Sequence, residues 1–186
     1  LARSALVLAE VALLLAHGST AEIVRSQRAF RGALATELPE QGGARHPEVP
    51  FRRDGWVKVM PRSSKEIVVD LEVPDSLATF MQGLMFRSSL CDRCSMLFAW
   101  SSDGYRPFFM KDTWIPLDMV WVNHERVIVD IKQAKANDLS SVGNTHQAQY
   151  VFEFREHWCR DHGVQVGDTL SWQHESQRPA FAAADF

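Results

Sequence analysis

From Lys65 onward the chain alternates between apolar and polar positions. In KEIVVDLEV, Ile67, Val69, Leu71 and Val73 fall on one side, and Val68, Asp70 and Glu72 on the other. That period of two predicts a half-buried strand, ended by Pro74. The period then lengthens. In PDSLATFMQG, Leu77, Phe80, Met81 and Leu84 line one helical face, Asp75 or Ser76 can cap the start, and Gly83 can stop it. SMLFAW, residues 95–100, reads as a short buried strand followed by the loop SSDGYRP. FFM reads as a short strand. LDMVWV and VIVDI are two more, joined by NHER, a loop of hairpin length. AQYVFEF is another strand, REHWCRDHG a helical turn stopped by Gly163, and VQVGDTLSW a turn at Gly167–Asp168 with a closing strand. The pattern predicts a mainly β, α+β fold. It is a single compact antiparallel sheet, barrel-like or strongly curved, with a short helix near 75–83 and a helical turn near 155–162.

The ends carry no such pattern. Glu37 to Gly55 is rich in Pro, Gly and charge and lacks the apolar surface to offset the entropy of ordering it. The expected organisation is a targeting segment at 1–21, a linker at 22–64, a globular domain at 65–175 and a flexible tail at 176–186. Arg3 followed by the apolar run Ala5–Ala16 and small residues to Ala21 has the layout of a signal peptide, and predicts export to a periplasm or beyond. Glu10 inside the run leaves organelle targeting as the alternative. The run is shorter than the roughly 20 residues that span a bilayer, so no transmembrane span is expected.

Composition narrows the function. A chain of 186 residues, 46% hydrophobic, suffices for one core rather than two domains of ordinary size. The net charge of −3 gives no basic face, so no nucleic-acid partner is expected. Charge divides unevenly: residues 20–64 carry eight Lys/Arg against five Asp/Glu, and residues 65–186 carry eleven against seventeen.

The chemistry centres on RPFFMKDTWIPLDMVWV, residues 106–122. Lys111, Asp112 and Asp118 interrupt its apolar run. Pro116 can open a strand but cannot donate within one, so KDTWIP is expected to be a tight loop with Lys111 and Asp112 at its start. Asp118 lies inside the following strand, where a carboxylate needs partners. It either closes the preceding loop as an Asx-type turn or lines a polar pocket with Arg87 and Lys111 as an anion-binding rim. Arg87 can equally form an ion pair with Asp118 or Glu153. The candidate ligand-binding set is Arg87, Lys111, Asp112, Trp114, Asp118 and Glu153. Cys91 and Cys94 form a C-x-x-C, and Cys159 with His162 could complete a tetrahedral zinc site. A small-loop disulfide between Cys91 and Cys94, or a redox pair, are the other readings. No cofactor is expected if the cysteines are not zinc ligands. No nucleophile elbow and no Gly-rich phosphate loop occur. Asp118 with Glu153 could form a carboxylate pair of the kind glycosidases use.

Three blocks, GLMFR at 83–87, MLF at 96–98 and FFMKDTWIPLDMVWV, stand in an order and spacing that resemble the domain of unknown function 192 family. Its pattern runs GLM-x-R, GMLF, FWM-x-NT and PLD, then a late-strand Glu, here Glu153. A G-x-x-x-GD ending follows, here Gly163, Gly167 and Asp168. Ser95, Phe109 and Asp112 stand where the pattern has Gly, Trp and Asn. The resemblance implies a compact β-rich domain, often behind a signal peptide, and no established activity. The functional expectation is a non-catalytic binding or accessory module with a small polar pocket, its partner a small molecule or a protein. The alternatives are a metal-dependent or carboxylate-using hydrolytic enzyme and a protein-interaction domain.

Overall fold

The computed structural model describes residues 47–174. The targeting segment 1–21, the first part of the linker and the tail 176–186 lie outside the described residues. Seven strands form one sheet: β1 (Gly55–Met60), β2 (Ile67–Glu72), β3 (Cys94–Gly104), β4 (Leu117–Val122), β5 (Ile128–Ala134), β6 (Ala148–Arg155) and β7 (Thr169–His174). Among the described residues two short helices accompany them, α1 (Leu77–Gln82) and α2 (Trp158–His162). The spatial order is β5-β4-β6-β3-β2-β1-β7.

The mainly β reading holds, with three differences. The sheet is mixed, because β2 and β3 run parallel over Asp70↔Cys94, Leu71↔Ser95 and Glu72↔Met96. The reason is visible in the chain. Parallel neighbours need a crossover rather than a hairpin, and α1 lies between these two strands. Second, β1 falls inside the segment assigned to the linker. Its register with β2 and β7 buries Val57 and Val59, an alternation short enough to be hidden between RRDG and Pro61. Third, FFM is not a strand. Phe108 makes one bridge, to Val142, and the rest is loop.

The sheet curls without closing into a barrel. Its outer strands meet at a single bridge, Val127↔Thr169, where Leu170 N donates to Arg126 O at 3.0 Å and Ile128 N to Asp168 O at 2.8 Å. These contacts occupy backbone groups that an open edge would offer to another chain. Inside the curl lies one apolar cluster, including Val57, Val69, Leu71, Leu97, Val120, Phe152, Phe154 and Trp158. On the opposite face a second cluster, including Leu84, Met96, Phe98, Met110, Met119 and Trp121, is roofed by α1 and the loops around residues 84–90 and 105–116. Strand β4 is buried at all six positions, because both faces are covered. That explains why LDMVWV reads as a continuous apolar run rather than an alternating one.

Local signals set the helices. Ser76 caps α1 in a capping box with Thr79, each side chain accepting from the other's backbone N–H. Gly83 follows with φ of 51° and ψ of −132°, a conformation open to glycine, and a Cβ there would press on the Phe98 ring at 3.3 Å. At the far end, Asp168 accepts from Arg62 N at 3.0 Å and from Gln165 N at 2.8 Å, which closes the Gly167 turn and fastens β1 to β7.

Leu97 is 1% exposed and packs inside the curl. We expect Leu97→Ala to cost about 3 kcal/mol through lost burial and the cavity left behind. Urea denaturation reads this as a lower midpoint with an unchanged slope. A loss under about 1 kcal/mol would place Leu97 outside the cooperative core.

Candidate functional site

Sheet register sorts the candidate residues by face. Strands β2, β3, β6, β4 and β5 bring Glu72, Met96, Glu153, Met119 and Lys132 side by side in one row across the sheet. Side chains in register on neighbouring strands share a face. That row lies on the loop-roofed face, with Met96 and Met119 in its apolar cluster. Asp118 precedes Met119, so it points to the other side, into the curl with Val120.

Asp118 therefore does not join Arg87 and Glu153. It accepts from His157 N at 3.0 Å and from Cys159 N at 2.9 Å. Those donors lie at the start of α2, whose N-cap residue, His157, supplies no side-chain cap and sits at φ of 63°. The carboxylate of a distant strand thus caps this five-residue helix. The expected tie to the KDTWIP loop is corrected: the segment Asp118 holds lies about 40 residues downstream. The carboxylate pair with Glu153 is likewise excluded, since the two groups point to opposite faces.

Arg87 pairs with neither Asp118 nor Glu153 but with Glu72. Two parallel hydrogen bonds of 2.8 Å join Nη1 to Oε2 and Nη2 to Oε1, with the side chains 3% and 9% exposed. Glu72 also accepts from Arg52 N at 3.1 Å. The sequence placed Glu72 on the polar side of β2. It gave no sign that loop 83–90 folds over that side and turns it into interior. The bidentate partner cancels the charge of Arg87, which takes Arg87 out of the expected anion-binding rim.

Glu153 remains. It is 4% exposed, and its Oε2 has no hydrogen-bond partner. Burial pushes its carboxyl from the ordinary 4.5 up to about 8, and the nearby Arg87 charge opposes that only in part. Arg87 Nε is also buried without a partner. The face thus holds a neutral ion pair, one spare N–H donor and one carboxyl that keeps its proton at neutral pH. Such a carboxyl can donate a hydrogen bond, release a proton or, once ionised, hold a cation.

The loop carrying Lys111, Asp112 and Trp114 meets the Arg87 loop directly. Phe86 N donates to Asp112 O at 2.8 Å, and the Phe86 and Trp114 rings meet edge to face at 5.9 Å. Asp112 has φ of 52°, a left-handed conformation that Asp and Asn adopt more readily than most residues. Its backbone carries that contact, so Asp in place of the pattern's Asn keeps the local geometry. Lys111 is half-buried, and Trp114 is 41% exposed.

The cysteine segments do come together, but through other chemistry. Cys91 and Cys94 form a disulfide. Between them, Asp92 holds Arg155 at 2.6 Å and His162 at 3.3 Å, while its carbonyl accepts from Trp158 Nε1 at 2.8 Å. Cys159 is a buried thiol, its pKa raised by burial and by Asp118 beside it. Among the described residues no group of three or more His, Cys, Asp or Glu is arranged to hold a metal ion, and within the set Cys91, Cys94, Cys159 and His162 the first two are bonded to each other.

A mainly β domain with this roofed row defines the class. The chain belongs to the domain of unknown function 192 family, described as an uncharacterized ACR, whose model matches residues 59–172. A crystal structure of a protein of unknown function from Novosphingobium aromaticivorans DSM 12444 is similar at 28% identity and a TM-score of 0.61, covering 69% of this chain and 91% of that one. A protein from Sinorhizobium meliloti 1021, provisionally described as a transcription regulator, is similar at 26% identity and a TM-score of 0.58, covering 67% and 97%. No curated protein matches the chain. Among the described residues, no helix is long and apolar enough to cross a membrane.

Two variants separate the roles. Asp118→Asn sets an amide NH2 against a backbone N–H and forfeits a charge-assisted bond; we expect a stability loss of about 3 kcal/mol in urea titration. A loss within about 0.5 kcal/mol would contradict the capping role. For Glu153, the native state keeps the proton to about pH 8 and the unfolded chain only to about 4.5. Between those values the unfolded state binds fewer protons, so stability falls as pH rises, by about 1.4 kcal/mol per unit at the steepest. Glu153→Gln should flatten that fall in a pH series of melting curves. Parallel curves for both proteins would show that Glu153 titrates normally.

Proposed function

We propose that this domain is a non-catalytic binding module whose site is the buried face formed by Glu72, Arg87 and Glu153 beneath the loops at 83–87 and 110–116. One observation carries the reading: Arg87 Nε and Glu153 Oε2 are both buried on this face without a partner. Buried polar groups are nearly always satisfied, so two orphans together call for an explanation in bound matter. The pairing of Arg87 with Glu72 makes the ligand group cationic or neutral rather than anionic. Lys111 and Trp114 stand in the covering loop, which is joined to the Arg87 loop by the contacts of Phe86 with Asp112 and Trp114. Asp118 is outside it. We place the protein in an exported or envelope compartment. The apolar run after Arg3 supports this, and so does the Cys91–Cys94 disulfide, since such bonds persist in oxidising surroundings.

The test is a thermal-shift panel of monovalent and divalent cations, small amines, neutral sugars and dicarboxylates against the full chain. We expect stabilisation by a cationic or neutral member, lost in Glu153→Gln and kept in Leu139→Ala, a change at an exposed site. A panel without hits, or hits indifferent to Glu153→Gln, would sink the reading.

A further inference from the structure

The row beside Glu153 has a composition that the binding reading leaves unused. Met96 on β3 and Met119 on β4 stand directly opposite Glu153 on its two sides. They are 2% and 0% exposed, and Met110 is buried in the same cluster. Residues directly opposite on neighbouring strands have Cβ atoms about 5 Å apart. Methionine is unbranched and has three rotatable side-chain bonds, so each side chain is long and adaptable enough to turn its thioether toward the carboxyl between them. We propose that Met96, Glu153 and Met119 form a site for one soft monovalent metal cation of the Cu(I) type. The inference rests on the binding reading above and names the ligand of that site.

Three arguments select this ion class. The first is charge. Arg87 and Glu72 cancel each other, so an ionised Glu153 leaves one negative charge in a low-dielectric interior. A single positive charge neutralises it, whereas a divalent ion leaves an excess and an anion doubles the deficit. The other charged group in the row is Lys132, opposite Met119. It is turned toward Gly143 O and Asp130, and so offers Glu153 no counter-charge. The second is softness. Thioether sulfur selects Cu(I), while calcium, magnesium and manganese prefer all-oxygen surroundings. The third is access. Met96, Met119 and Glu153 are almost completely sealed, and a bare ion demands far less room than an organic molecule. Binding is an exchange without redox change: the metal enters as a monovalent cation, and the Glu153 proton leaves to solvent. Oε2, now unpartnered, becomes the oxygen ligand.

The experiment uses the full chain without oxygen. Ag(I), a redox-inert ion of the same charge and softness, is titrated by calorimetry, and Cu(I) is titrated against a chromophoric chelator. We expect one ion per chain, about one proton released near pH 7, and carbon-13 shifts of the Met96 and Met119 ε-methyl groups but not of the exposed Met60. Met96→Leu and Met119→Leu conserve side-chain volume, and each should weaken binding at least tenfold with little change in melting temperature. Glu153→Gln should abolish proton release, and Cys159→Ser should bind as the native chain does. Absence of stoichiometric binding overturns the proposal, as does binding untouched by both Leu variants or lost in Cys159→Ser. If the Leu variants fail to fold, the methyl shifts of the native chain decide. A failure with both ions, beside a Glu153-dependent shift from an amine or sugar, would remove the metal and leave the binding module standing.

Discussion

Arg87 and Glu72 meet in the interior through two parallel hydrogen bonds of 2.8 Å, almost without water. Taking two charges out of water costs several kcal/mol for each, and close pairing offsets that only when the geometry is good. Arg87 therefore draws the loop after α1 down onto β2, and the loop roofs one face of the sheet. Once that roof is in place, a position that alternation marks as polar becomes interior. The same pairing consumes the charge that could have neutralised Glu153. The carboxyl one strand beyond Met96 is left to keep its proton. The character of the candidate site, uncharged at rest and short of one partner, follows from where Arg87 spends its charge.

A second set of polar ties holds the inner face. Helix α2 has five residues and a left-handed N-cap residue that makes no side-chain cap, so its own sequence does little to start it. Asp118 supplies the missing acceptors from β4, Asp92 fastens its neighbours from the disulfide loop, and Trp158 stacks on Phe154 at 4.1 Å inside the curl. Three elements distant in sequence converge on this short helix. The convergence that the C-x-x-C and C-R-D-H segments suggest is real in space. It runs through the Asp92 carboxylate, the Arg155 guanidinium and the His162 imidazole.

The two faces have different chemistry although they belong to one sheet. Inside the curl, polar groups such as Asp118 and Asp168 have their partners and brace the chain. Under the roof, Arg87 Nε and Glu153 Oε2 do not. A protein tolerates such a deficit where something else is gained, and binding is the usual gain. This asymmetry, more than any single motif, separates the supporting face from the candidate working face.

Much of the architecture was legible in the chain. A period-two run placed β2, and apolar runs bounded by turn residues placed β4, β6 and β7. The Ser76 cap and Gly83 bounded α1, and the blocks around GLMFR and PLD marked the family. These are local properties, decided by side-chain spacing and backbone preference within a few residues. Strand β1 escaped because only Val57 and Val59 carry its inward face and charged, turn-forming neighbours surround it. The parallel β2–β3 pair, the partner of Arg87 and the opposed directions of Asp118 and Glu153 were settled in three dimensions. Which face a carboxylate meets depends on sheet register and on which loop folds back over it. Those depend on contacts between residues far apart in the chain. The sequence alone determined most of the elements and supplied the charged groups; tertiary structure decided which of those groups were neutralised and left Glu153 Oε2 without a hydrogen-bond partner.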